Sequence, residues 1–420
     1  MDPKKEKRVV VLGGGFGGVI TALTLAKKKI PNLSITLVDK NEFHAYPADY
    51  YEIATAFTGN SPQEDRNDFV KLRASSAILF KDIFQDTSVV FTHGRVASVD
   101  FKARSVSLEN AKKLSYDYLV IALGSSTNFM GIPHLEEYAL ELKSLEDALN
   151  VRASIEELFL SRPKKEIIRI VIGGGGFTGC ELAGELVGYI KKLSRLHGHP
   201  SMNVECSLVE ASGNLLGRSS LWVQQKALEH LRGIGIKVLL NTPIADISAS
   251  EVLLKDGRKL PYSLLVWTAG IQPNLIAQSL PSTVAQKKSY LAVDETLRLK
   301  SHKNIYAIGD IAWCDDVSGT DRVPATAYMA ISEGEHVAEN IARRERGGEE
   351  SVYKPPTPKY VIPLGGKYVL ADLGGLRFSG GLAWILKRLV ALRYFAKILP
   401  WPRAWALWKG DMKLYTQNDE

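Results

Sequence analysis

Val171–Glu185 reads VIGGGGFTGCELAGE, and the interpretation of this stretch decides the fold. Val and Ile dominate Glu166 to Ile172, so the residues before the glycines have the composition of a buried parallel strand. Gly174-x-Gly176-x-x-Gly179 then has the spacing of a turn that brings backbone amides onto an anionic pyrophosphate at a helix start. Alone, such a pattern is weak. The chain has already made the same turn at Gly13-Gly14-Gly15-Phe16-Gly17-Gly18, after the run Arg8 to Leu12. Two dinucleotide sites in one chain imply two dinucleotides.

Working outward, the first turn is followed by a helical stretch, Val19 to Lys29, and by a strand, Ser34 to Val38, that ends in Asp39. The acid falls 21 residues after Gly18, where a carboxylate accepts hydrogen bonds from an adenosine ribose. The competing reading is a βα turn that only packs tightly. The second unit repeats the plan with a longer helix, Cys180 to Leu196, and a strand, Val204 to Val209, that ends in Glu210. An acid there favours the free ribose hydroxyls of NADH, whereas a 2′-phosphate would call for an arginine.

A chain of 420 residues suits two or three domains, and 45% hydrophobic with 24% charged residues is ordinary for a globular protein. The formal charge of +7 is matched by seven basic residues between Leu376 and Lys409, a window without one acid. With no other basic patch to explain, nucleic-acid binding is not expected. Cys180, Cys206 and Cys314 form no CxxC pair, which argues against a disulfide framework or a zinc cluster and fits a reducing compartment. The histidines lack ligand spacing, so no metal is expected. The charged start MDPKKEKR runs straight into the first strand without the apolar core of a signal peptide, and no run of about 18 apolar residues marks a membrane span.

Elsewhere, Phe43 to Phe57 is an aromatic segment with three readings: core, lid, or wall beside a flat ring system. Val89 to Val96 and Val99 to Leu108 alternate like strands of an antiparallel meander, and Tyr116 to Leu123 reads as a buried strand ending at Gly124. Ser144 to Leu160 has a helical period, Asp256-Gly257 marks a hairpin, and Asn304 to Ala307 is a short strand. A helix is expected from Pro324 to Arg344, with proline in its first turn.

Taken in order, VVLGGGFGG (Val10–Gly18), YDYLVIALGS (Tyr116–Ser125), LKSLEDA (Leu142–Ala148), GGGFTGCELAGEL (Gly174–Leu186), LVWTAGIQPN (Leu265–Asn274) and IYAIGDIA (Ile305–Ala312) resemble the two-dinucleotide-binding-domain flavoproteins. Within them the chain is similar to the type II NADH dehydrogenases, single-chain NADH:quinone oxidoreductases that do not pump protons. The resemblance implies an α/β fold of two Rossmann-like dinucleotide-binding domains, the second inserted in the first, plus a C-terminal amphipathic helical membrane-binding segment. Residues 1–140 and 276–350 would bind FAD, residues 141–275 would bind NADH as substrate, and residues 351–420 would anchor the chain.

By the same resemblance Gly13, Gly15, Gly18, Asp39, Gly124, Asp310 and Ala327 contact FAD, while Gly174, Gly176, Gly179 and Glu210 contact NADH. Asp310 is equally a candidate helix N-cap. The helix from Pro324 would point its amide end at the flavin. Glu181 matches a glutamate that would orient the nicotinamide or pass a proton; a glutamate at a helix start is also common for the dipole alone. The family's quinone motif, Ala-Gln-x-Ala-x-Gln, is here Ala327-Tyr328-Met329-Ala330-Ile331-Ser332, with both glutamines replaced. Tyr328 and Ser332 share a helical face and are the candidate quinone contacts. Three alternatives share the scaffold: an NADH-dependent flavin reductase with a non-quinone acceptor, a sulfide:quinone oxidoreductase-like protein, and a flavin-binding interaction protein.

After Pro355, Pro356 and Pro358, Gly381 to Leu399 has the length of a helix with a broad apolar side and with Lys387, Arg393 and Lys397 opposite. Arg388 breaks the pattern, as an arginine that snorkels at an interface would. Trp401, Trp405 and Trp408 recur at helical spacing beside Arg403 and Lys409. This suits monotopic attachment to anionic lipid through residues 381–409, at the cytoplasmic face of the cell membrane, where a quinone would be met. The competing reading packs the helix pair on the partner in a homodimer.

Overall fold

A computed structural model of the chain describes residues 6–57, 70–74, 76–280, 284–300, 302–316, 319 and 321–415. They form two compact units. Met1–Ala45, Ile78–Ser126 and Ile271–Pro358 make the first; Tyr46–Ala77, Thr127–Gly270 and Lys359–Glu420 make the second.

Each unit is built on a five-stranded, all-parallel sheet with the strand before its glycine turn at the centre. In the first, Lys7–Leu12 is flanked by Leu33–Asp39 and then Val89–His93 on one side, and by Tyr118–Ile121 and then Ile305–Ala307 on the other. In the second, Ile168–Gly173 has Val204–Val209 and Lys237–Leu239 on one side, Leu264–Trp267 and Leu140–Glu141 on the other. Val9, Val11, Leu12, Ile170 and Ile172 are fully buried, as both faces of a parallel sheet must be. This is the expected mixed α/β architecture with two Rossmann-like cores.

Each unit also carries a three-stranded antiparallel sheet, Val96–Asp100 with Ser105–Leu108 and Lys113–Ser115 in the first, Ile244–Ile247 with Glu251–Leu254 and Lys259–Pro261 in the second. The Asp256-Gly257 hairpin joins the last two of these strands, with Gly257 at φ +86°. The meander expected from Val89 onward is corrected here. Val89–His93 pairs parallel to Leu33–Asp39 at the sheet edge, and its alternation reflects an edge strand with one open face, where Val90 is exposed.

Helix ends follow local chemistry. Leu145–Ser161 starts with a capping box in which Ser144 Oγ accepts from the Asp147 amide at 3.1 Å while the Asp147 carboxylate accepts from the Ser144 amide at 2.7 Å. The helix expected from Pro324 begins later, at Ala327, because Thr326 Oγ1 caps it by accepting from the Met329 amide at 3.3 Å. Pro324 lies in the loop ahead of the cap.

In the second unit the chain ends in a small antiparallel sheet, Tyr360–Pro363, Val369–Asp372 and Arg377–Ser379, followed by helices Gly381–Ile398 and Trp401–Tyr415. Ala383 packs on Val369 and Ala371 of that sheet. Neither Arg388 nor Lys387 lies where a lipid-facing wheel puts it. Arg388 is buried and donates from Nη2 to Glu52 Oε1 at 3.0 Å, and Lys387 donates to the same oxygen at 2.6 Å. Glu52 is itself buried, and a buried carboxylate demands such partners. The outer side of the helix pair exposes Leu382, Ile385, Leu389, Val390, Trp401 and Trp405. No described helix is long and apolar enough to cross a membrane.

Removing one member of a buried ion pair strands its partner, so Arg388→Ala is expected to lower stability by about 3–5 kcal/mol. Arg393→Ala, on the exposed side of the same helix, should stay within about 0.5 kcal/mol. Urea midpoints followed by tryptophan fluorescence check both.

Candidate active site

The two glycine turns have nearly the same geometry. At the first, Gly13 takes φ +98°, and a Cβ there would lie 2.3 Å from the Ala122 carbonyl oxygen. A Cβ on Gly18 would lie 1.8 Å from the Gly13 oxygen, so only glycine lets helix Phe16–Lys27 settle on the turn. At the second, Gly174 takes φ +113°, and a Cβ on Gly179 would lie 1.9 Å from the Gly174 oxygen. Gly15 and Gly176, the N-caps of the two helices, share φ −74° and ψ −170°, have no side-chain cap, and face open space within 4 Å. Each helix thus presents an uncapped, positive amide end to whatever enters.

Both acids at the strand ends hold their turns in the same way. Asp39 accepts from the Gly14 amide at 2.6 Å and from the Asn41 amide at 2.8 Å, one on each oxygen. Glu210 accepts from the Gly175 and Ser212 amides, both at 2.7 Å, again one on each oxygen. A carboxylate has about four acceptor positions. Two therefore remain for ribose hydroxyls. Burial pushes the Asp39 carboxyl up, while the Asn41 and Gly14 amides pull it back. Beside the first turn a cleft of about 430 Å³ is lined by Gly13, Gly15, Asp39, Gly124 and Asn274 among others.

Asn274 was not singled out from the sequence. It donates from its amide to the Gly124 carbonyl at 3.0 Å and from Nδ2 to the Leu123 carbonyl at 3.2 Å, fixing the rim of the cleft. The signal was its place at the end of LVWTAGIQPN. His44, from the aromatic segment, is fully buried with Nδ1 donating to the Gly14 carbonyl at 2.8 Å, and burial lowers it to about 4.

Also in the first unit, Asp310 lies in the single turn Gly309–Ile311 and accepts from Ser125 Oγ at 2.7 Å. The N-cap of the long helix is Thr326, which removes the alternative reading of Asp310 as that cap. Glu333, also not anticipated, is buried and accepts from the Gly309 amide at 2.5 Å; burial pushes it up to about 7 against the pull of that amide and of Arg322. It holds the turn that carries Asp310. Ala327 opens the helix and Tyr328 is exposed on it. Ser332, one turn on, is half-buried beside the Tyr353 phenol, whose pKa burial raises.

In the second unit Glu181 lies in the second turn of helix Phe177–His197, with part of its surface open. Loss of water around its carboxyl pushes it up to about 8; Lys387 pulls it down, while Glu52, Asp49 and Glu185 add to the rise. Lys387 also hydrogen-bonds the Tyr51 hydroxyl. Glu181, Tyr51, Lys387 and Glu52 thus form one electrostatic neighbourhood. Cys180, Cys206 and Cys314 are buried and free, and the Cys180 thiol donates to the Gly175 carbonyl at 3.4 Å.

Duplicated turns that each offer bare helix amides and a ribose-competent acid define a pyridine-nucleotide enzyme, and residues 7–334 match the pyridine nucleotide-disulphide oxidoreductase family; the chain belongs to it. The narrower resemblance, to type II NADH dehydrogenases, is also borne out. The type II NADH:quinone oxidoreductase of Staphylococcus haemolyticus is 27% identical over 402 residues, covering 94% of this chain and 96% of that protein. The demethylphylloquinone reductase NdbB of Synechocystis is 30% identical over 406 residues, covering 92% of each. In fold, the chain is similar to NDH2 from Plasmodium falciparum solved with NADH (TM-score 0.84, 18% identity, 98% of this chain and 99% of that one). It is also similar to the sulfide:quinone oxidoreductase of Aquifex aeolicus (TM-score 0.77, 20% identity, 96% and 92%).

His44 gives the first unit a pH signature. Its folded pKa lies below the unfolded value of about 6.5, so the folded state binds fewer protons, and its stabilising contribution is present above about pH 6.5 and lost as pH falls toward 4. The loss amounts to about 3 kcal/mol. His44→Gln should flatten the decline in urea midpoint between neutral and acidic pH relative to wild type.

Proposed function

We propose that this chain is an FAD-dependent oxidoreductase that takes hydride from NADH and passes two electrons to a membrane quinone without pumping protons. The observation that carries the reading is the duplication: two open glycine cradles, each with an acid that keeps acceptor capacity for a ribose. Relatives with different names support the acceptor, one a NADH:quinone oxidoreductase and the other a demethylphylloquinone reductase.

The donor sets fit both dinucleotides. Gly13, Gly15, Gly18, Asp39, Gly124, Asp310 and Ala327, on residues 1–140 and 276–350, would hold FAD. Gly174, Gly176, Gly179 and Glu210, on residues 141–275, would hold NADH. When bound, FAD supplies a ring system that accepts a hydride and gives up its two electrons. The chain's own part is orientation, exclusion of water and control of protons. Glu181, raised to about 8, holds a proton at neutral pH and is suited to orient the nicotinamide or pass that proton onward. Tyr328 and Ser332 would offer hydroxyls to a quinone carbonyl in place of the two glutamines.

Attachment is peripheral, at the cytoplasmic face, through residues 351–420. The exposed row Leu382, Ile385, Leu389 with Trp401 and Trp405, beside exposed Arg393, Arg403 and Lys409, suits an anionic bilayer. Asp411, the one acid between Leu376 and Tyr415, is buried, so among these described residues no acid lies on the exposed side. A sulfide:quinone reading has less support, since it needs paired redox cysteines and these three are separate and buried.

In stopped flow, NADH should bleach the flavin rapidly and a short-chain menaquinone analogue should restore it with a saturable rate; slow, unsaturable reoxidation would sink the quinone half. Glu210→Ala should raise KM for NADH about tenfold, the loss of about 1.4 kcal/mol of hydrogen bonding, with kcat little changed. The full chain should float with phosphatidylglycerol vesicles at low salt, and the Trp401→Ser/Trp405→Ser double variant should float markedly less.

A further inference from the structure

Within the first unit, helix Ala327–Glu345 crosses helix Phe16–Lys27 at a place with no room for a side chain. A Cβ on Gly334 would lie 2.5 Å from the Gly17 oxygen, and Thr21 Oγ1, which donates to the Gly17 carbonyl at 2.8 Å, stands 3.3 Å from the Gly334 oxygen. The residue just before this crossing is Glu333. It is 2% exposed, and it accepts from the Gly309 amide at 2.5 Å.

Arg322, 8% exposed, holds the same turn by its carbonyls. Its Nη2 donates to the Gly309 carbonyl at 3.4 Å and its Nε to the Ala312 carbonyl at 2.9 Å. One acid and one guanidinium thus take both backbone groups of Gly309, at φ +70°, and the carbonyl that follows the turn Gly309–Ile311. Asp310 is the next residue, with Ser125 Oγ donating to its Oδ2. Helix Phe16–Lys27 behind the first glycine turn, the turn bearing Asp310 and the helix that opens at Ala327 are therefore registered around Glu333.

A glutamine would accept the same amide without the cost of burying a charge. The carboxylate adds strength, because a hydrogen bond to an ionised acceptor is roughly twice as strong as a neutral one. It also makes that strength depend on its own proton. Of the groups around it, Arg322 favours the ionised form and Asp310 opposes it. Cys314 and Tyr353 also feel its charge, and burial keeps both neutral. At the helix crossing, Gly17 and Thr21 bring nothing that titrates.

We propose that Glu333 and Arg322 are positioning residues for FAD: by holding the amide and the carbonyl of Gly309 they set the place of Asp310, and with it the affinity of the first unit for FAD. The proposal rests on the FAD reading of that unit. Because the clamp is stronger with Glu333 ionised, binding favours the ionised form and releases a proton. Glu333 lies at about 7, so affinity is full above that pH and falls as pH drops through it.

The test follows FAD release from the full, FAD-loaded chain on dilution, read as recovery of free-flavin fluorescence, from about pH 8.5 to about pH 5.5. The wild-type Kd should rise about tenfold toward acid, the difference between a charge-assisted and a neutral hydrogen bond. Glu333→Gln keeps an acceptor for the Gly309 amide but no charge; its Kd should equal the acid wild-type value at every pH. Titration calorimetry of the FAD-stripped chain near neutral pH, in buffers of different ionisation enthalpy, should find protons released on binding to wild type and none with this variant. Arg322→Lys keeps the charge but cannot bridge both carbonyls, so its Kd should be raised at all pH values with the wild-type slope retained; it reads the clamp if Glu333→Gln fails to fold. A flat wild-type profile, a slope that survives in Glu333→Gln, or an Arg322→Lys chain that holds FAD as tightly as wild type would overturn the clamp alone. A wild-type chain that binds no FAD at any pH would overturn the flavin reading of the first unit and the proposal with it.

Discussion

The contact on which both units depend is the approach of a helix start to the carbonyl of the turn before it. Gly18 lies against the Gly13 oxygen and Gly179 against the Gly174 oxygen at separations that exclude a methyl group. That closeness brings the first helical amides to the mouth of the turn. It also lets the acid at the end of the next strand reach back, Asp39 to the Gly14 amide and Glu210 to the Gly175 amide. Strand, turn, helix and acid are therefore one constrained object, built twice. Four of the five positions in the two sheet orders agree because each sheet is assembled around it; only one outermost strand differs, coming last in the chain in the first sheet and first in the second.

Different physics governs the segment 46–54 and the C-terminal helices. Here the determining quantity is charge out of water. Glu52 is tolerable inside only because Lys387 and Arg388 reach it from more than 300 residues away in sequence. Their attraction in turn fixes how the helix pair is rotated, and so which apolar side chains are left outside. Burial of the cations and exposure of Leu382, Ile385 and Leu389 are two faces of the same rotation.

What the sequence made legible follows from that contrast. The turns, their acids and the central strands are local or nearly so, and spacing within about 40 residues was enough to read them. The edge strand Val89–His93 was misread because period-two alternation is shared by a meander and by a half-covered parallel edge; only the register with Ile35 separates them. Pro324 was taken as a first-turn proline although Thr326, two residues on, is the stronger cap. Lys387 and Arg388 were placed toward solvent or lipid since a helical wheel contains no information about Glu52. Asn274 and Glu333 act through backbone groups, the Gly124 carbonyl and the Gly309 amide, and such partners leave no pattern in side-chain chemistry.

The first unit is assembled from three separated lengths of chain, and its sheet order has a consequence for biosynthesis. Tyr118–Ile121 gains its outer neighbour only from Ile305–Ala307, made nearly two hundred residues later. During translation the four early strands can pair, but one of them, buried at every residue in the finished fold, waits with an unsatisfied ladder edge while the whole of Thr127–Gly270 is synthesised. At about 5–20 residues per second that exposure lasts on the order of ten seconds or more. An open, hydrophobic strand edge is a template for wrong partners, and the order of synthesis leaves this one uncovered until residue 307 has left the ribosome.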